Sequence, residues 1–149
     1  RAFRQGPQRD GCGLRQSEAA GAVRVQTDFH VDAAHHLPTV FPPGHPNHRL
    51  HGHSYRVRVT LEGEPCPRTG MVEDLGAVHG ALQDIKAALD HHYLNEDVPG
   101  LGVPTLENLT LWIWSQLAER FSGLAVVGVF RDSSGEGCEY HGPQDHHGS

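Results

Sequence analysis

From Val23 onward the chain alternates. Val23, Val25, Thr27, Phe29 and Val31 fall on one side, and Arg24, Gln26, Asp28 and His30 on the other. A period of two predicts a strand with one buried and one wet face. The same alternation returns more sharply at His51: His51, His53, Tyr55, Val57, Val59 and Leu61 share one face, and Gly52, Ser54, Arg56, Arg58, Thr60 and Glu62 the other. Between the two strands, residues 37–50 carry Pro38, Pro42, Pro43, Gly44 and Pro46 and predict a long loop. Long loops inside compact domains are often functional. A turn containing Pro65 and Pro67 occupies residues 63–70.

The period then changes. Leu75, Val78, Leu82, Ile85 and Leu89 form one apolar stripe, which predicts a helix over 74–89 with Asp74 as N-cap. Leu106, Leu109, Ile113, Leu117 and Phe121 form a second stripe over 105–121, opened by Pro104 and Thr105 and closed by Gly123. Residues 124–131 and 138–141 read as two more strands around a Ser- and Gly-rich turn at 133–137. The order strand, strand, helix, helix, strand, strand predicts an α+β domain: a four-stranded antiparallel sheet with two helices on one face. Residues 1–22 and 143–149 show no apolar period and read as a flexible leader and tail around one domain at 23–142.

Composition narrows the classes. A chain of 149 residues is one domain of ordinary size. Its 12 Lys and Arg against 18 Asp and Glu give a net charge of −6, which argues against a general nucleic-acid binder or a polybasic membrane anchor. No apolar run approaches the roughly 18–20 residues of a membrane span. No signal-peptide segment opens the sequence, and Arg1 in first place reads as a trimmed end. Cys12, Cys66 and Cys138 form no CxxC pair, so a reducing, cytoplasmic compartment without disulfides is expected. The outlier is histidine, 13 in all, which raises metal binding or proton transfer.

Two of these histidines carry the sharpest signal. His51 and His53 project from one strand face about 6.6 Å apart, so both imidazoles can converge on one cation. They lie on the apolar face, where two polar rings need a partner. Ordinary surface histidines are the alternative. His35 is the best third ligand if the first strand stays extended, since it then shares parity with Phe29 and Val31; an unremarkable loop histidine is the alternative there. Three imidazoles with an open fourth position is a catalytic zinc pattern, with ring nitrogens about 2.0–2.1 Å from the ion. On residues alone, His91 and His92 after Asp90 suit a helix C-terminus, Glu107 suits a helix N-terminus, and Asp132 reads as a turn residue.

Taken together, Phe29 through His35, Arg49-Leu50-His51-Gly52-His53-Ser54-Tyr55, Thr69-Gly70-Met71-Val72, Leu89-Asp90-His91-His92-Tyr93-Leu94-Asn95, and Pro104-Thr105 with Glu107 resemble the 6-pyruvoyl-tetrahydropterin synthase family. The similarity is strongest to its bacterial 6-carboxy-tetrahydropterin synthases of queuosine biosynthesis. The resemblance implies a tunnelling fold, in which trimers close a barrel and two trimers stack as a homohexamer. It implies Zn2+ on His35, His51 and His53, and Asp90 with His91 as a proton-transfer pair. It implies substrate contacts from Thr105 and Glu107, and an acid at the end of the third strand that anchors the pterin ring; matching Gly137-Cys138 and Tyr140 places that acid at Asp132.

One departure stands out. The family's catalytic cysteine is replaced: its position is Asn47 in the bacterial spacing and His45 in the animal spacing. The expected function is therefore a zinc lyase acting on a 7,8-dihydropterin side chain, of the type that turns 7,8-dihydroneopterin triphosphate into 6-carboxy-tetrahydropterin, with His45, or else His48, as base. The alternatives are dihydroneopterin cleavage for folate synthesis and a catalytically silent paralogue that binds zinc and pterin.

Overall fold

The computed structural model describes residues 21–144. Most of the leader and tail expected from the sequence therefore lies outside the described residues. Four strands form one antiparallel sheet in chain order: β1 (Val23–His35), β2 (His51–Gly63), β3 (Leu124–Arg131) and β4 (Glu136–Tyr140). Helices α1 (Leu75–Leu89) and α3 (Leu106–Leu117) connect β2 to β3, and a single turn, α2 (Leu94–Asp97), lies between them. α1 packs on β1, and α3 on β3 and β4. This is the tunnelling-fold arrangement that the resemblance implied.

The two periods decide what is buried. Val31, Tyr55, Val57, Val59, Leu61, Val127 and Val129 turn their side chains toward the helices, whose Val78, Leu82, Ile85, Leu109, Ile113 and Leu117 meet them in one core. Each helix begins as its sequence requires. The Asp74 carboxylate accepts from the Gly76 amide at 2.9 Å, and the Thr105 hydroxyl from the Asn108 amide at 3.1 Å, so each cap satisfies an amide that the first turn leaves unpaired.

Several boundaries differ from expectation. β1 runs four residues past Val31, because pairing with β2 continues to His35 opposite His51. α3 stops at Leu117 rather than 121, although Phe121 stays buried in the turn that follows. Leu75 stands outside the apolar seam, exposed in the first turn of α1. β4 starts at Glu136, two residues before the expected strand. The cysteine expectation is corrected: Cys66 is buried and disulfide-bonded, while Cys138 is free. The inference of a reducing compartment from the cysteines loses its footing. Among the described residues, no helix is long and apolar enough to cross a membrane.

On the sheet face away from the helices, the Phe130 ring covers two glycines and carries the Arg56 guanidinium 4.5 Å from its centre. A Cβ at Gly128 would stand 2.7 Å from that ring, and one at Gly137, its cross-strand neighbour, nearer still. Gly137→Ala is therefore expected to displace Phe130 and cost about 1–3 kcal/mol, read as a lower denaturant midpoint with an unchanged slope. An unshifted midpoint would show that the ring moves freely.

Candidate active site and metal centre

The extension of β1 builds the centre. His35 lies directly opposite His51 in the β1–β2 register, and His53 lies opposite Ala33, so three imidazoles gather on the helix-facing side at the strand ends. Their ring centres are 4.5, 4.8 and 4.7 Å apart and their planes meet at 69°, 84° and 89°. One nitrogen of each lies within 4.8 Å of the others.

Hydrogen bonds fix the tautomers. His35 Nδ1 donates to the Pro104 carbonyl at 2.8 Å, and His51 Nδ1 donates to the Arg49 carbonyl at 2.7 Å. A carbonyl can only accept, so both rings carry their proton on Nδ1 and a lone pair on Nε2. The two Nε2 atoms face each other at 3.0 Å. Two lone pairs at that distance repel, and a shared cation removes the repulsion; tetrahedral ligation at zinc distances would hold such nitrogens about 3.3 Å apart. His53 Nε2 is likewise an acceptor, receiving a hydrogen bond from Arg131 Nη1 at 3.3 Å. Burial pushes His53 down to about 4, with the His35, Arg131 and His51 charges adding to it. Burial also lowers His35, against the pull of its bond to Pro104. Neutral imidazoles backed by carbonyls are what a metal needs, so the donor set fits a dication with an open position.

Asp90 and His91 lie beside an open cleft of about 570 Å³ that His91 lines together with Asp32, Gly52, His53, Ser54 and Tyr93. The Asp90 amide closes the end of α1 by donating to the Lys86 carbonyl at 2.7 Å, and its carboxylate accepts from the Asp32 amide at 2.8 Å, which fixes it. His91 Nε2 stands 3.9 Å from Asp90 Oδ1, too long for a hydrogen bond. The His91 ring is largely exposed, on a backbone at φ 60°.

The other expected residues fall out unequally. Thr105 caps α3, and Pro104 before it holds His35, so this turn supports the centre through its backbone. Glu107 is exposed in the first turn of α3. In the loop, His45 stacks on Phe41 at 4.3 Å, and its Nδ1 accepts from the Asn47 amide at 3.1 Å. His48 donates from Nδ1 to the Phe41 carbonyl at 3.0 Å, leaving Nε2 free to accept.

Asp132 is placed away from the histidines. It lies on the opposite sheet face, where Arg56 clasps its carboxylate through Nε and Nη2 at 2.9 and 3.1 Å and lowers its pKa. The end of β3 that faces the centre is Arg131, paired to Glu136 of β4 at 2.7 Å. Neither was expected from the sequence, yet the parity of Val127 and Val129 points to Arg131.

A four-stranded antiparallel sheet, two helices on one face and three imidazoles at the strand ends define a tunnelling-fold protein with a metal-type centre. The chain belongs to the 6-pyruvoyl tetrahydropterin synthase family, which it matches over residues 24–143. It is 37% identical over 105 residues to the 6-carboxy-5,6,7,8-tetrahydropterin synthase of Synechocystis sp., covering 64% of this chain and 74% of that protein. It is 37% identical over 107 residues to the 6-pyruvoyl tetrahydrobiopterin synthase of Homo sapiens, with the same coverage of 64% and 74%. The structure of the Caenorhabditis elegans 6-pyruvoyl tetrahydropterin synthase superposes with a TM-score of 0.75 at 26% identity, covering 84% of this chain and 99% of that one.

Proposed function

We propose that this chain is a zinc-dependent lyase acting on the side chain of a 7,8-dihydropterin, with 6-carboxy-tetrahydropterin chemistry as the leading reaction. The observation that carries the reading is the trio His35, His51 and His53, with tautomers set so that three lone pairs converge. A bound dication would supply Lewis acidity, polarising side-chain oxygens and acidifying the neighbouring C–H. The chain's own residues do the rest. A base takes the carbon-bound proton, and His91 Nε2, exposed at the cleft, holds or returns a proton with Asp90 fixed beside it.

For the base, the loop offers histidines where the family has cysteine. Asn47 is neutral and cannot take a proton near pH 7. His45 uses its acceptor nitrogen on the Asn47 amide, whereas His48 keeps Nε2 free. His48 is therefore preferred over His45 as base. His48→Ala is expected to lower turnover about 10²-fold or more, and His45→Ala to lower it less. Wild-type activity in both alanine variants, with metal content intact, would refute a histidine base from this loop. Activity that appears only in Asn47→Cys would show a silent relative.

The absence of cysteine from residues 42–50 favours dihydroneopterin cleavage as a second reading. The deciding experiment incubates zinc-loaded protein with 7,8-dihydroneopterin triphosphate and with 7,8-dihydroneopterin, and separates the products by chromatography. No product from either would leave only pterin binding.

The assembly is proposed to be a hexamer. β1 and β4 are open sheet edges, which proteins pair or cover. Leu50 is 64% exposed immediately before His51. Sedimentation at micromolar concentration is expected to give six chains; a monomer would contradict it.

A further inference from the structure

We propose that Arg131 makes the metal centre an anion-recognition site: its guanidinium binds a carboxylate-type oxyanion of the ligand that occupies the centre's open position. The inference rests on the metal-centre reading above and adds the charge class of the ligand.

Three observations carry it. First, Arg131 Nη1 donates to His53 Nε2 at 3.3 Å, the same lone pair that a cation would take. Guanidinium and cation compete for one atom, so a loaded centre leaves Nη1 without its acceptor and sets two cations side by side. Second, the side chain is only 20% exposed, and its Nε is buried with no hydrogen-bond partner among the described residues. Water is therefore a poor replacement for the lost acceptor. Third, Glu136 holds Nη2 at 2.7 Å from β4 and keeps the fork at the strand end. The planar fork carries five N–H donors and no acceptor, and it suits the two coplanar oxygens of a carboxylate. An anion shared between ion and guanidinium screens their repulsion and replaces His53 as acceptor. A neutral ketone or alcohol does neither. The centre thus discriminates in favour of a ligand whose side chain ends in, or becomes, a carboxylate.

The test uses the whole 149-residue chain, Co2+ as a spectroscopic metal and sodium acetate as the anion, with chloride at equal ionic strength as control. In the wild type, acetate is expected to tighten Co2+ binding about tenfold and to shift the visible bands of the bound ion. Arg131→Gln is expected to bind Co2+ more tightly than wild type without acetate, and to show an acetate effect of less than about twofold. Arg131→Lys keeps the charge without the fork and should fall between them. It also serves as the readout if the glutamine variant does not fold. An acetate effect of equal size in wild type and in the folded Arg131 variants would overturn the proposal while leaving the metal centre standing. No Co2+ binding to the wild type would overturn both.

Discussion

His35→Ala is expected to purify without metal. The ring is almost fully buried, stands opposite His51 and is held through Nδ1 by the Pro104 carbonyl, so nothing nearby can take its place. Removing a hydrogen bond behind a metal-bound histidine already weakens binding about 10–100-fold, and removing the ligand itself should cost at least ~10³-fold. The same change empties a buried site and strands the Pro104 carbonyl, so stability should fall by about 2–4 kcal/mol even without metal. His51→Ala separates the two effects, because His51 is more exposed: metal should be lost with a smaller drop in stability. His36→Ala is the control. Its ring lies 5.7 Å from Tyr93 and takes no part in the cluster, so it should keep its zinc. Full zinc content in His35→Ala or His51→Ala, measured by elemental analysis of protein with a native spectrum, would sink the three-histidine centre.

The strands and helices were legible because each buries one face, and the periods of two and 3.6 record which. The His51–His53 pair was legible for the same reason. His35 depended on a conditional, that β1 stays extended through Asp32-Ala33-Ala34. Alanine and aspartate have little strand preference of their own; the pairing with Ser54, His53 and Gly52 of β2 supplies what local sequence does not. α2 was missed because four residues are too few to show a period. Its signal is polar: the Asp97 carboxylate accepts from the Tyr93 amide at 2.9 Å.

The end of β3 was less legible, for a subtler reason. Counting back from Gly137, Cys138 and Tyr140 ignores how residues 132–135 spend their length. There the chain makes a turn that ends with Gly135 at φ 67°, and Asp132, the first residue past the strand, lies on the far face beside Arg56. A side chain's face is set by strand parity, and Arg131 shares it with Val127 and Val129. The acid on the centre's side is instead Glu136, supplied by the partner strand.

His91→Gly is expected to cost activity while sparing the fold. At φ 60° a residue with a Cβ is strained by roughly 1–2 kcal/mol. The strain is held in place from both sides: the His91 amide donates to the Asp32 carbonyl at 2.7 Å, the Ala34 amide to the His92 carbonyl at 3.0 Å, and the Asp90 carboxylate accepts from the Asp32 amide. The ring itself is 79% exposed and packs on little, so its removal loses almost no burial. Glycine relieves the backbone but gives the unfolded chain more freedom, worth about 0.4–1 kcal/mol. The net expectation is stability equal to wild type or up to ~1 kcal/mol higher. Turnover, however, should fall about 10²–10⁴-fold if His91 handles the proton in the reaction. His91→Asn serves as a partner variant: asparagine tolerates the left-handed region but cannot act as a base, so it should be as stable as wild type and as inactive as the glycine variant. A position kept strained by a residue that contributes nothing to packing is one where function, not stability, accounts for the side chain. Wild-type turnover in both variants would place His91 among ordinary helix-end residues and take it out of the mechanism.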